Sequence, residues 1–338
     1  MTGSATWSNN AELARRLEAV GFSGMLYTET SQVPWMQIAA AATAAPSLTF
    51  TTGIAVAFPR SPMVTASTAW EIAQNTGGRF RLGLGSQVKG HVVRRYSSEF
   101  APPGPRMRDY VLAVRACLRA FRREEPLSYE GEFYKLSYLP EAWAPPRHDF
   151  EHIPIDISAV GPYMTRMAGE VADGIHVHPL HSTRYLTERL LPAVAEGAER
   201  SGRATADIDL ILPVFAAPGD TPEEREPLVR RARQQIAFYG STPNYAFQFD
   251  DLGFDGTTAH LGALIRAGDL EAMEAAITDE MLEHFAIVCP WDELAERLVD
   301  RSGGTASRVV MYLAEESIRR DPDSIERWGE VARAVRST

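Results

Sequence analysis

Two cysteines, Cys117 and Cys289, are all that 338 residues contain. So few build no disulfide framework, and they suit a reducing compartment. No leader-like segment opens the chain, and no apolar run reaches the about 18 residues that a membrane span needs. The expectation is a cytoplasmic protein with no membrane partner. Basic excess is missing too. Lys and Arg number 34 against 44 Asp and Glu, a net charge of −10. Nothing there attracts nucleic acid. A dinucleotide fingerprint begins at Gly83 and Gly85 but lacks its third glycine, which would stand where Val88 does. A zinc site is also incomplete. His176 and His178 lie two apart on one strand face, but Asp173 falls on the wrong side of that strand, and no metal is expected.

What is there is ordinary globular composition, 45% hydrophobic and 23% charged, arranged as alternating strand and helix signals. Seven core strands are expected, over 24–28, 48–57, 80–84, 155–159, 174–178, 209–215 and 308–313. Helices are expected between them, over about 10–20, 34–44, 61–77, 106–121, 163–172, 183–200, 222–239, 292–301 and 322–335. Residues 127–137 read as a hairpin, and 140–154 as a proline-rich excursion. Residues 240–285 break the rhythm with short helices and loops. Cys117 falls in an apolar helical repeat with Val111, Val114, Leu118 and Phe121, which places it in the core. Repeated alternation argues for parallel strands joined by helical crossovers. A closed (β/α)8 barrel needs one strand more than the seven. Its place is before the first helix, where residues 4–8 offer only a stub. The first strand is therefore expected to be short or missing.

In such a barrel, ligands sit at the C-terminal ends of the strands. Those ends deliver Tyr27, Glu29 and Gln32; Gly53, Ile54 and Arg60; Ser86, Gln87 and Lys89; the turn Ala159-Val160-Gly161-Pro162; and His178. Gly83 and Gly85 lack side chains, so backbone there can approach a flat ligand. The Gly161-Pro162 turn opens a helix, whose free N–H groups can hold a phosphate. Each reading has a structural alternative. Glu29 either serves chemistry or caps a helix; Arg60 either meets substrate or makes a salt bridge; Gly161-Pro162 either cradles an anion or only starts a helix.

The segments TTGIAVAFPRSP (51–62), GRFRLGLGSQVKGHVVRRY (78–96), PRMRDYV (105–111), LSYEGEFY (127–134), AVGPYMTRMAGEVADGIHVHP (159–179) and QQIAFYGSTPNY (234–245) together resemble the bacterial luciferase-like superfamily. They are most similar to its actinobacterial F420-dependent oxidoreductases. The resemblance implies a single luciferase-like TIM barrel over residues 1–338, with 240–285 as a lid or subunit contact and a homodimer as the assembly. It implies an oxidoreductase moving a hydride between coenzyme F420 and a small organic substrate. An FMN-dependent monooxygenase using O2 is the second reading, and a cofactor-free binding or non-redox protein the third. It places Gly53-Ile54, often a non-prolyl cis peptide in the family, under the cofactor ring. Gly83, Gly85, Ser86 and Gln87 would line the cofactor, and Ala159, Val160 and Gly161 would hold its phosphate. His178 would contact phosphate or substrate. Tyr27, Gln32, Arg60 and Lys89 are the substrate candidates. One departure stands out. Many relatives carry an acid–histidine pair after the second strand; here that loop reads Glu29-Thr30-Ser31-Gln32-Val33-Pro34-Trp35. With the pair absent, His178 is the first candidate to exchange a proton, because imidazole titrates near neutrality. Glu29 is the second.

Overall fold

A computed structural model describes residues 5–337. The first helix, Trp7–Ala19, starts three residues earlier than expected. The Thr6 side chain caps it by accepting from the Asn9 N–H. The strands are β1 (Gly24–Tyr27), β2 (Thr49–Thr52), β3 (Ala55–Val56), β4 (Phe80–Gly85), the hairpin pair β5 (Tyr129–Glu130) and β6 (Lys135–Leu136), β7 (Ile155–Ser158), β8 (Gly174–His176), β9 (Asp209–Pro218), β10 (Ala286–Cys289) and β11 (Arg308–Met311). All except the hairpin form one nine-stranded sheet in which every pairing is parallel. Helices alternate with the barrel strands, as the crossover rule requires.

The expected strand over 48–57 is broken. Regular pairing stops at Thr52, the Gly53–Ile54 peptide is cis, and β3 resumes beside the end of β4. One strand was missed in the sequence. β10 is only four residues long and follows directly on the helix Asp279–Phe285, so no turn residues announce it. A helix over Ala314–Arg320 was missed as well.

β9 is the longest strand. It pairs with β8 over its first residues, with β11 over Ile211–Val214 and with β10 over Phe215–Pro218. This overshoot carries the chain beyond the strand ends. The following helix, Pro222–Gly240, then returns so that its last turn packs against the exits of β8 and β11. The expected insertion, 240–285, is a set of short helices that adds to this cover.

No strand among the described residues occupies the place between β11 and β1. β1 pairs only with β2, and β11 only with β9. The proposed stub is not a strand: Ala5 is irregular and Trp7 already helical, while Ser4 lies outside the described residues. A cavity of about 280 Å³ opens between the two edges, lined by Met25, Leu26, Val309 and Met311 and by Leu17 and Val335 from the flanking helices.

The barrel interior is partly polar. Arg81 spans Asp156 at 2.6 Å and Asp209 at 2.7 Å. His176 sits above them, its Nε2 3.8 Å from the Asp156 carboxylate. Both cysteines are free and buried in apolar packing, and burial pushes their thiols up, Cys117 to about 12 and Cys289 to about 11.

Candidate functional site

The strand exits of β1 and β2 are tied into one unit. The Thr28 hydroxyl donates to the Gly53 carbonyl at 2.9 Å, and the Gly53 N–H donates to the Tyr27 carbonyl at 2.8 Å. Glu29 locks the next turn. Its carboxylate takes both Arg60 Nη atoms at 2.6 and 2.8 Å, and the Val56 N–H at 2.8 Å. For Arg60 the structure gives the salt bridge; Glu29 is its partner, which neither the chemical nor the helix-cap reading of Glu29 named. Glu29 is buried, and its carboxylate accepts the Arg60 and Val56 donors that brace the 53–60 turn. Glu29→Gln is expected to lower stability by about 3 kcal/mol, because it leaves the Arg60 cation half-buried with a weakened partner. Urea unfolding of the cofactor-free protein tests this. A variant that unfolds like wild type while losing turnover would restore Glu29 to the chemistry.

Tyr27 does not face the site. Its hydroxyl donates to Asn10 Oδ1 at 3.0 Å, between the strand and the first helix, since alternate residues of β1 point outward. Burial pushes that phenol well up. Gln32 is exposed and bonds to the backbone of Ala5. Lys89 is exposed at the rim.

The two glycines of β4 are needed for a different reason than expected. A Cβ on Gly83 would overlap the Thr52 carbonyl oxygen and approach His176 Nε2 to 2.5 Å. A Cβ on Gly85 would meet the Ile54 side chain at 2.6 Å. The protein's own atoms fill both spaces. These glycines set the close packing of β4 against the cis turn, while Gly53, Ile54, Ser86 and Gln87 at the same strand ends stay half-buried. Gln87 holds a left-handed φ of 59°, an uncommon conformation for a side chain of its size.

The exit of β7 is open. Gly161 caps the helix Pro162–Val171, and no side chain bonds to its first-turn N–H groups. A Cβ on Gly161 would meet nothing within 4 Å. Neighbouring Val160 is positioned by the Tyr185 hydroxyl, which donates to its carbonyl at 2.8 Å. An uncapped helix start beside empty space is suited to an anion.

His178 lies beyond the end of β8. Its ring packs edge-on to Tyr239, 4.8 Å between centroids, and against Tyr245 at 4.5 Å. Tyr239 and Tyr312 share a hydrogen bond of 2.6 Å between their hydroxyls. Burial pushes the His178 pKa down to about 4. The ring is thus neutral at physiological pH, which corrects the expectation that it titrates there. The Leu180 N–H donates to Nδ1 at 3.1 Å, so the ring proton sits on Nε2. The three tyrosines were not among the sequence candidates. Tyr312 directly follows the last strand, and the strand-end rule applied there would have found it. Tyr239 and Tyr245 arrive from the return of the Pro222–Gly240 helix, which no local pattern discloses. Among the described residues, no group of three or more His, Cys, Asp or Glu is placed to hold a metal ion, and no helix is long and apolar enough to cross a membrane.

Comparison with known proteins agrees with this layout. An uncharacterized protein of Mycobacterium tuberculosis (strain ATCC 25618 / H37Rv) is 39% identical over 300 residues, covering 89% of this chain and 88% of the relative. A 5,10-methylenetetrahydromethanopterin reductase of Archaeoglobus fulgidus is 27% identical over 262 residues, 76% of this chain and 74% of the relative. Among solved structures, the coenzyme F420 dependent tetrahydromethanopterin reductase from Methanopyrus kandleri superposes with a TM-score of 0.78 at 19% identity, covering 96% of this chain and 94% of that one. The sequence profile of the family described as luciferase-like monooxygenase matches residues 1–308. With its parallel barrel, broken second strand and open β7 exit, the chain belongs to the luciferase-like monooxygenase family.

Proposed function

We propose that this protein is an F420-dependent oxidoreductase acting on a small organic substrate. The observation that carries the reading is the open start of the Pro162–Val171 helix, with Gly161 facing empty space at the exit of β7, the strand next to β4, which also pairs with β3 just after the Gly53–Ile54 turn. The residues fit such a group. Val160, Gly161 and the first helical N–H groups would hold its phosphate, and Gly53, Ile54, Ser86 and Gln87 would bound its ring. When bound, the deazaflavin supplies a two-electron hydride carrier that requires no acid–base pair to react. That property agrees with a loop in which Glu29 is committed to Arg60. The protein's part is to fix the turn, cover the mouth with the 240–285 helices and offer His178 Nε2–H as a neutral hydrogen-bond donor.

Titration of the protein with F420 and, separately, with FMN tests the reading. F420 is expected to bind one per chain, with fluorescence quenching and at least tenfold tighter than FMN. Gly161→Val is expected to weaken F420 at least tenfold without a change in unfolding midpoint, because the new side chain projects into the anion's space. Tighter FMN binding would favour the monooxygenase reading. Binding of neither would overturn the cofactor assignment.

A further inference from the structure

The cluster over the mouth has a composition of its own. His178, Tyr239, Tyr245 and Tyr312 meet there, with Phe215 packed edge-on against Tyr312 at 4.9 Å between centroids. No member carries a charge. Arg231, whose charge bears on Tyr239 and Tyr312, is paired with Glu316 at 2.9 Å. The hydrogen-bond count of the cluster is fixed by its geometry. Two hydroxyls that share one hydrogen bond leave one O–H free. His178 accepts at Nδ1 and keeps its proton on Nε2, which has no acceptor among the described residues. Three donors are thus left over, that O–H, the Tyr245 O–H and His178 Nε2–H, set in aromatic walls, and no member of the cluster is an anion or a cation that could pair a charged ligand. His178, Tyr239 and Tyr245 are each only half-buried, so the surface is accessible.

We propose that this cluster is the recognition surface for an uncharged, planar carbonyl compound. The ring of the ligand lies against the Tyr245 and Tyr239 faces, and its carbonyl oxygen accepts from the free O–H of the Tyr239–Tyr312 pair and from His178 Nε2–H. A carboxylate or phosphate ester is disfavoured, because its charge would lie against aromatic side chains that carry no counter-ion. The inference deepens the oxidoreductase reading by naming a substrate class, but it concerns these four side chains alone.

The test uses two probes of nearly equal shape, acetophenone and benzoate, with the cofactor-free protein and ligand-observed NMR titration. Acetophenone is expected to bind saturably, and benzoate at least tenfold more weakly. Tyr239→Phe and Tyr312→Phe keep the rings and remove the hydroxyls; at least one is expected to weaken acetophenone about tenfold while benzoate stays weak. Benzoate binding as tightly as acetophenone, no saturable acetophenone binding, or two Phe variants that both bind like wild type would each overturn the proposal. F420 titration of the same samples separates the two readings. A protein that binds acetophenone in this way but not F420 keeps the recognition surface and loses the proposed cofactor.

Discussion

Gly83→Ala is expected to destabilise the protein by about 3–5 kcal/mol, a loss at the large end for a single methyl group. The cause is the close approach of β2 and β4. The Gly83 N–H donates to Thr52 Oγ1 at 2.9 Å, and Thr52 Oγ1 donates back to the Gly83 carbonyl at 2.7 Å. An added Cβ overlaps the Thr52 carbonyl oxygen, which is backbone in a parallel sheet and has nowhere to go. His176 lies on the other side of the new methyl and is itself buried. The strands must separate, and the adjoining Gly53–Ile54 turn moves with them. Gly161→Ala is the control. Its Cβ meets open space, and its φ of −79° suits any residue, so its unfolding midpoint is expected within about 0.5 kcal/mol of wild type. Urea unfolding of the pair decides. A Gly83→Ala protein as stable as the control would mean that β2 and β4 are not so tightly apposed.

Acid is expected to unfold this protein early, with stability falling from about pH 6.5 downward. Three histidines near the end of β8 are held neutral, His176 and His181 buried and His178 half-buried. Burial lowers His176, takes His178 down to about 4 and takes His181 down to about 3, the last helped by repulsion from the nearby Arg301 guanidinium. The sign follows from linkage. In the unfolded chain each ring titrates near about 6.5, so below that pH the unfolded state binds protons that the folded state refuses. Stability is fully present above about pH 6.5 and declines as pH falls toward the folded values. His178 and His181 together are expected to cost about 3 kcal/mol between pH 6.5 and 5. Urea midpoints at pH 7.5, 6 and 5 measure the decline. His181→Asn removes one titrating ring, and its curve is expected to flatten by about half. A wild-type midpoint that holds steady to pH 5 would show that these rings are hydrated in the fold.

The sequence carried the seven strands and the parallel crossovers, because each rests on local pattern; the 48–57 run read as one strand, and only the family resemblance pointed to the Gly53–Ile54 break. The open β7 exit was legible for the same reason: Gly161-Pro162 is a helix start that needs no distant partner. Side-chain roles were less legible. Glu29 and Arg60 lie 31 positions apart, and nothing in either neighbourhood states that they meet at 2.6 Å. Gly83 and Gly85 were read as room for a ligand, yet the space is taken by Thr52 and Ile54 from another strand. Tyr27 was placed in the site from its position, but the alternation of a short strand turned it toward Asn10. The tyrosine cluster depends on β9 overshooting its neighbours, a length that hydrophobic pattern did not reveal.

Among the described residues no strand fills the place between β11 and β1, which makes their sheet a strip with two ends rather than a ring. A ring of parallel strands distributes load around its circumference; a strip has a seam. Here the seam is fastened from outside. Arg16 of the first helix donates to the Pro322 carbonyl at 2.8 Å, Arg333 of the last helix reaches the Val20 carbonyl, and Gly329 lets that helix close against Val20. Among the described residues, Arg308 of β11 also donates a long hydrogen bond to Thr49 of β2 at 3.4 Å. The first and last helices therefore act as the clasp of an open bracelet. Amide exchange is expected to begin at Gly24–Leu26 and Val309–Met311, and cutting back the Ser324–Arg336 helix would loosen strands that it does not pair with.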